Sequence, residues 1–208
     1  RTRSMIDEYR TLAGVFEHEG AKIKGSRFVA RAGHLVDAAE AERLVAQMRR
    51  DHPDASHHCF AYRLDPAGGA FRASDAGEPG GSAGRPILQQ IEAHGLHETL
   101  VVVARYFGGV KLGVGGLIRA YGGAANEVLS RAPIRVVRVT RRLVVKFPYE
   151  FSGAVQGALA SAGIAPASSD YGAEVALTLD IPVGAVAQVL EELRDRTAGQ
   201  ARVEEAPA

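Results

Sequence analysis

An apolar run, Leu100-Val-Val-Val-Ala104, passes through Arg105-Tyr-Phe-Gly-Gly-Val-Lys-Leu-Gly-Val-Gly-Gly-Leu-Ile-Arg-Ala-Tyr121 into a helical pattern that begins near Val114. That order predicts a buried strand, a glycine-rich loop and a helix in succession. Glycine opens backbone conformations closed to other residues and lets a ligand come close. The first amides of a helix lack internal partners and carry the positive end of its dipole. Arg105 precedes the loop, Lys111 sits in it, and Arg119 falls early in the helix. With Gly108, Gly109, Gly113, Gly115 and Gly116, these cations suit an anion, above all a phosphate. The same glycines also fit a helix packed closely on a sheet, and both readings stand at this level.

The common nucleotide loops do not match. A Walker loop needs Gly-Lys followed by Ser or Thr, whereas Lys111 lies between Val110 and Leu112. A dinucleotide turn needs Gly-x-Gly-x-x-Gly, and after Gly113 and Gly115 the third place is Ile118.

Upstream, Ser74-Asp-Ala-Gly-Glu-Pro-Gly-Gly-Ser-Ala-Gly-Arg-Pro-Ile-Leu88 is a second Gly/Pro-rich stretch. Asp75 and Glu78 read as paired carboxylates or as solvated turn residues. Arg85 is expected to face the same surface as Lys111, so the 74–86 and 107–119 loops form the best joint site. His57, His58 and Cys59, with His52 nearby, are metal-ligand types. On a strand His57 and Cys59 share a face and His58 does not, and zinc needs three or four converging ligands. No metal and no cofactor are therefore expected. Cys59 reads as a small core residue in preference to a nucleophile.

The chain has 208 residues, 46% hydrophobic and 24% charged, which fits a soluble globular protein of one large or two small domains. It has no apolar run of membrane-crossing length, so no membrane partner is expected. One cysteine excludes an internal disulfide and fits the cytoplasm. Residues 1–4 are expected to be a cloning remnant before a natural start at Met5. Net charge is +1, so no global attraction to nucleic acid follows. Locally, residues 131–146 hold Arg131, Arg135, Arg138, Arg141, Arg142 and Lys146 with no acid, while residues 147–208 hold nine acids against three bases. The strip either binds phosphates or pairs with the acidic segment beside it.

Hydrophobic periodicity predicts strands at 11–17 and 26–35 and a helix at 38–50 opened by a capping-box-like Asp37-Ala-Ala-Glu40. A strand at 56–64, an exposed loop at 65–81 and a helix capped by Ser82 follow, then a strand at 98–106 and the long helix. The chain breaks near Arg131-Ala-Pro133. Beyond it come a strand at 136–147, a helix at 150–162, strands at 164–171 and 174–181, a helix at 183–197 and a last strand near 200–204. The fold class is α+β in two domains, 5–133 and 134–208, the second a ferredoxin-like βαββαβ unit.

The glycine loop, the 74–88 stretch, Lys24-Gly-Ser-Arg-Phe28 and His57-His-Cys-Phe-Ala-Tyr62 together resemble the motifs of the YigZ/IMPACT family across most of residues 8–130. The family usually reads Asp-Asp-Gly-Glu-Pro where this chain has Ala76 after Asp75. The resemblance implies a first domain like the second domain of ribosomal protein five of the small subunit, a fold also used in domain IV of elongation factor G. It implies a second domain like domain V of that factor. It points to RNA, the ribosome or translation factors as partners. Eukaryotic relatives act by protein contact in restraining translation initiation, through an additional N-terminal domain for which this chain is expected to lack room. The rival reading is an enzyme on a phosphorylated small molecule, with the Gly108–Gly116 loop for phosphate and Asp75 or Glu78 as base. A third is a protein-interaction module.

Overall fold

The computed structural model describes residues 7–64 and 69–206; residues 1–4 and Met5 lie outside them. The fold is mixed, with helices laid on antiparallel sheets. Two compact units separate, one spanning Tyr9–Val137 and the other joining Asp7 and Glu8 with described residues from Arg138 onward.

The chain runs β1 (Glu8–Leu12), β2 (Phe16–Glu19), β3 (Arg27–His34), α1 (Ala38–Asp51), β4 (His57–Arg63), β5 (Phe71–Ser74), α2 (Gly84–Ala93), β6 (Thr99–Tyr106), α3 (Val114–Arg131) and β7 (Ile134–Arg138). Five of these strands form an antiparallel sheet in the order β2-β3-β6-β4-β5. β6 is central and covered on both faces, which explains its unbroken apolar run: Thr99 through Arg105 are all buried. One face packs Phe28, Cys59, Val101 and Val103 against Ile87 and Ile91 of α2 and Leu117, Tyr121 and Val128 of α3. The other packs Phe60, Tyr62, Leu100 and Val102 against Val45 and Met48 of α1. Each such buried side chain contributes about 1.5–3 kcal/mol. α1 opens as expected: the Asp37 carboxylate accepts the Glu40 amide at 2.6 Å, and the Glu40 carboxylate accepts the Val36 amide at 2.9 Å.

Several expectations need correction. The strand predicted over 11–17 is two strands, because the chain turns through Ala13-Gly14-Val15 and β1 leaves the sheet to pair with β7. The predicted 65–81 loop contains β5, an exposed edge strand paired with β4; residues 65–68 lie outside the described residues. Ser82 does not cap α2. It is fully buried and its hydroxyl donates to the Pro79 carbonyl at 2.6 Å.

In the second unit β8 (Thr140–Phe147), α4 (Ser152–Ser161), β9 (Pro166–Tyr171), β10 (Val175–Pro182), α5 (Val186–Arg196) and β11 (Arg202–Glu205) follow one another. The sheet order is β11-β8-β10-β9. The strand predicted over 136–147 is thus β7 and β8 with a break at Val139. Leu143, Val145, Phe147, Leu177, Leu179 and Ile181 pack against Val155 and Leu159 of α4 and Val189 and Leu193 of α5. Much of the basic strip is neutralised here. Arg142 grips Asp180 with two bonds of 2.7 and 2.8 Å, Lys146 reaches Glu204 at 2.7 Å, and Arg141 pairs with Glu205. No described helix is long and apolar enough to cross a membrane.

Candidate functional site

Sheet register builds the site. At the end of β6, Arg105 stands opposite Phe28 of β3 and opposite His57 of β4, so the three form one cross-strand row. The row lies on the face that carries α3. The Arg105 guanidinium is flanked by the Phe28 and Phe107 rings at 5.7 and 5.6 Å, and Phe28 meets Tyr121 edge-on at 5.2 Å.

Glu78 reaches into this row. Its Oε1 accepts Arg105 Nη1 at 2.6 Å and the Tyr121 hydroxyl at 2.7 Å, with His57 Nε2 at 4.0 Å. The side chains of Arg105 and Glu78 are only 6% and 4% exposed. Glu78 is therefore not the solvated turn acid the sequence allowed. A buried ion pair survives desolvation only when further hydrogen bonds satisfy it, and Tyr121 supplies one. Among the described residues Arg105 Nε finds no acceptor, a loss of about 1–3 kcal/mol for a buried donor. Burial, above all, and then the neighbouring Cys59 push the Tyr121 hydroxyl well above the usual tyrosine range, so it remains a donor.

Asp75 has a different task. One carboxylate oxygen accepts the Ala83 and Gly84 amides at 2.9 and 2.8 Å, and the other accepts the Gly81 amide at 2.8 Å. It caps α2 from eight and nine residues upstream, the role the sequence assigned to Ser82. Burial opposes its ionisation, but the three amide bonds outweigh this and hold its carboxyl below the usual range. Asp75 and Glu78 are thus one helix cap and one buried ion-pair partner, not paired acids. Asp75→Ala is expected to lower stability by about 2 kcal/mol, the upper end for removal of a cap, measured by urea titration. Because the folded-state carboxyl ionises more readily than the unfolded one, near 3.9, its contribution is complete above that pH. It is lost as pH falls through the folded-state value, and Asp75→Ala should abolish that part of the acid dependence.

The 75–84 loop is tied to β4 by two more bonds. The Cys59 thiol donates to the Asp75 carbonyl at 2.9 Å, and His57 Nδ1 lies 3.0 Å from the Ala76 carbonyl. A carbonyl only accepts, so Nδ1 carries a proton and Nε2 is the nitrogen turned toward the cleft. His58 points to the opposite face, bonded to the His52 carbonyl at 3.0 Å. His52 in turn bonds the Tyr106 hydroxyl. Among the described residues no three His, Cys, Asp or Glu side chains gather as a metal cage. Cys59 is fully buried, and burial, the largest influence, pushes its thiol up to about 12. Thiol reagents are expected to label native Cys59 at least about a hundredfold more slowly than the urea-unfolded chain; comparable rates would mean the thiol is open to solvent.

The loops border an open cleft of about 420 Å³ lined by residues that include His57, Glu78, Arg105, Phe107, Lys111 and Leu117. Its floor is buried Arg105, Glu78 and Leu117; its rim is exposed Phe107, Lys111 and Val114. α3 starts at this rim behind Gly113, with no side chain capping it. Lys111 makes no ion pair among the described residues. Phe107, Val110, Val114 and Ile118 are each 40–53% exposed, an apolar fringe around the lysine.

The expected joint site is therefore assembled only in part. Glu78, Arg105, Lys111 and Gly113 line one cleft. Arg85 does not join them and lines a separate hollow with Phe71 and Leu88. Arg119 is exposed on α3 beside Gly115 and outside the cleft lining. The glycines also divide. Gly109 and Gly113 adopt φ of +85° and +72°, which favour glycine. Gly108 is a packing residue, since a Cβ there would lie 2.0 Å from the Gly25 carbonyl carbon. Gly115 has room to spare, and Gly116 sits against Leu112. Sequence pattern does not single out Phe107 or Tyr121 as site residues. Their only signal is period-two alternation carried past Arg105 and the helical spacing of Tyr121 from Leu117.

An Impact N-terminal domain matches residues 24–129, and a domain of unknown function (DUF1949) matches residues 145–200. The chain is 40% identical over 183 residues to an IMPACT family member encoded in the pol 5′ region of Thermus thermophilus, covering 88% of this chain and 99% of that one. It is 34% identical to the IMPACT family member YigZ of Escherichia coli K12, covering 86% and 88% of the two chains. A crystal structure of a hypothetical protein superposes with a TM-score of 0.65 at 31% identity, covering 98% of this chain and 99% of the other. The chain belongs to the IMPACT family.

Proposed function

We propose that this protein binds RNA, as a free strand or within the ribosome, through the rim of the α3 cleft. The observation that carries this reading is the grouping on one glycine loop of exposed Phe107, of Lys111, which has no ion pair among the described residues, and of the start of α3, where no side chain caps the helix. An aromatic platform beside a cation and free helix amides is what a base and its phosphate need. The open sheet face of the second unit is a weaker candidate, because Arg142 and Lys146 are already paired with acids.

Fold likeness supports the reading without establishing it. The order β11-β8-β10-β9, with α4 and α5 packed on it, supports reading the second unit as ferredoxin-like. The resemblance of the first unit to the second domain of ribosomal protein five points to the same partners, translation factors among them, and to a cytoplasmic site of action. The rival, an enzyme on a phosphorylated small molecule with Asp75 or Glu78 as base, draws on Glu78 at the cleft floor, with His57 Nε2 4.0 Å from it.

A test follows from the charge. The Lys111→Ala, Arg119→Ala double variant should bind single-stranded RNA more weakly by a similar factor for every sequence. The slope of log affinity against log salt should fall by about one for each phosphate no longer neutralised. Phe107→Ala should weaken binding by about 1–3 kcal/mol, with little change of slope. A folded double variant with unchanged affinity and slope removes the loop as the binding surface. Thermal stabilisation by one nucleotide, without RNA binding, selects the enzyme.

A further inference from the structure

We propose that two copies of this chain join through β5, the edge strand of the first unit's sheet, about a two-fold axis at Arg72. The surface shares no lining residue with the α3 cleft, and the proposal goes beyond the RNA reading without resting on it.

The edge is open. β5 pairs with β4 on one side and ends the sheet on the other. The Leu64 amide donates to the Ala70 carbonyl at 2.7 Å, in the same register as the β4–β5 ladder. Hydrogen-bonded pairs alternate along an antiparallel ladder, so Arg72 and Ser74 also turn their backbone groups toward β4. Phe71 and Ala73 turn theirs to the free edge. Edge strands are normally guarded by charge or proline. At the far end of this sheet β2 carries Glu17 and Glu19, paired with Arg31 and Arg27. In the second unit β9 starts with Pro166, and β11 carries Arg202, Glu204 and Glu205. The only charge on β5 is Arg72, and it folds back on its own unit, over the Phe60 ring at 5.6 Å and against Glu42 at 3.4 Å. Phe71 is left 63% exposed.

The surface is complementary to itself. A two-fold interface sets residue i against j and j against i. With the axis at Arg72, Phe71 lies opposite the second copy's Ala73, and Ala73 opposite its Phe71, large against small. Both residues then exchange N–H and C=O bonds with the second strand. Beside them a hollow of about 430 Å³ is lined by Phe71, Ala73, Arg85, Leu88, Gln89 and Glu92. The α2 residues among these form one stripe, with Arg85 at its start and Glu92 at its end. Both are exposed, and neither makes an ion pair among the described residues. Turned about the axis, α2 meets its copy antiparallel. Arg85 then faces the second copy's Glu92, and Leu88 its Gln89, each contact made twice. β5 borders a hollow on the opposite face as well, lined by residues that include Val45, Phe60 and Tyr62.

Sedimentation velocity of the whole chain across the micromolar range should show a concentration-dependent dimer. Phe71→Asp should weaken it by about tenfold or more. Arg85→Glu and Glu92→Arg each set like charges face to face and should each weaken self-association by about tenfold. Mixed together, these two variants place Glu against Arg at both contacts, and association should return to within about threefold of the native chain. Arg72→Cys sets two thiols across the axis in a non-hydrogen-bonded pair, whose Cα spacing of about 4.5 Å lies within disulfide reach. Mild oxidation should link that dimer, since the native Cys59 is buried. A chain that sediments as a monomer throughout overturns the proposal. A dimer indifferent to Phe71→Asp, or folded charge variants that mixing does not rescue, overturns it by placing the interface elsewhere. An Arg72→Cys dimer that oxidation leaves unlinked overturns the pairing about Arg72.

Discussion

Glu78→Ala is expected to destabilise the protein by about 3–5 kcal/mol, the range for breaking a buried ion pair from one side. The cost comes from what remains. Arg105 stays on a central strand, 5% exposed, between two aromatic rings and without a counter-charge. The Tyr121 hydroxyl, fully buried, is left without its acceptor as well. Removing both charges should hurt less than removing one, because no unpaired charge is left and the remaining damage is packing and the Tyr121 hydroxyl without its acceptor. The Glu78→Leu, Arg105→Met pair is therefore expected to be more stable than Glu78→Ala. Urea titration of Glu78→Leu, Arg105→Met and the pair closes the cycle. A Glu78→Ala effect below about 1 kcal/mol would show that water reaches the pair and that the floor of the cleft is open.

Gly108→Ala is expected to cost about 4 kcal/mol or more and to yield little folded protein. The added methyl would lie 2.0 Å from the Gly25 carbonyl carbon and 2.2 Å from the Ser26 nitrogen. Both are backbone atoms, so no side-chain rotation relieves the clash. Gly25 is itself held at φ +83° with its own Cβ position 2.8 Å from the Gly108 carbonyl oxygen, so neither chain can yield toward the other. Gly109→Ala is the control. Its φ of +85° brings about 1–2 kcal/mol of strain, but the space around it is empty, and the protein should fold. Equal tolerance at both positions would show that the 24–26 turn and the 107–109 loop do not cross as described.

The strand, loop and helix around residues 100–121 are legible in the sequence because burial on both faces writes an uninterrupted apolar run, and a long amphipathic helix writes its own period. The capping box at Asp37 is legible because both partners lie within four residues. What escapes is set by distance along the chain. Asp75 caps a helix from eight residues upstream, and Glu78 finds Arg105 twenty-seven residues away, a meeting decided by the β3-β6-β4 register. β5 is hidden because a four-residue exposed edge strand, Phe71–Ser74, looks like loop composition. The break at Ala13-Gly14-Val15 is hidden because the residues on both sides keep β-like alternation while pairing with different partners. Arg85 is misplaced because proximity in sequence to Glu78 says nothing about which side of α2 it occupies.

The bond from the Cys59 thiol to the Asp75 carbonyl makes the one sulfhydryl of this chain a clock. A reagent reaches that sulfur only when the loop over it has lifted, so under conditions of rapid reclosure the labelling rate measures the free energy of that lifting. The loop that must lift also carries Glu78 to the cleft floor. A ligand seated in the cleft holds the loop down, and each tenfold rise in ligand above its dissociation constant should slow the clock by nearly another factor of ten. Candidate ligands can then be ranked by how long a single thiol stays silent, with no assay for whatever chemistry follows.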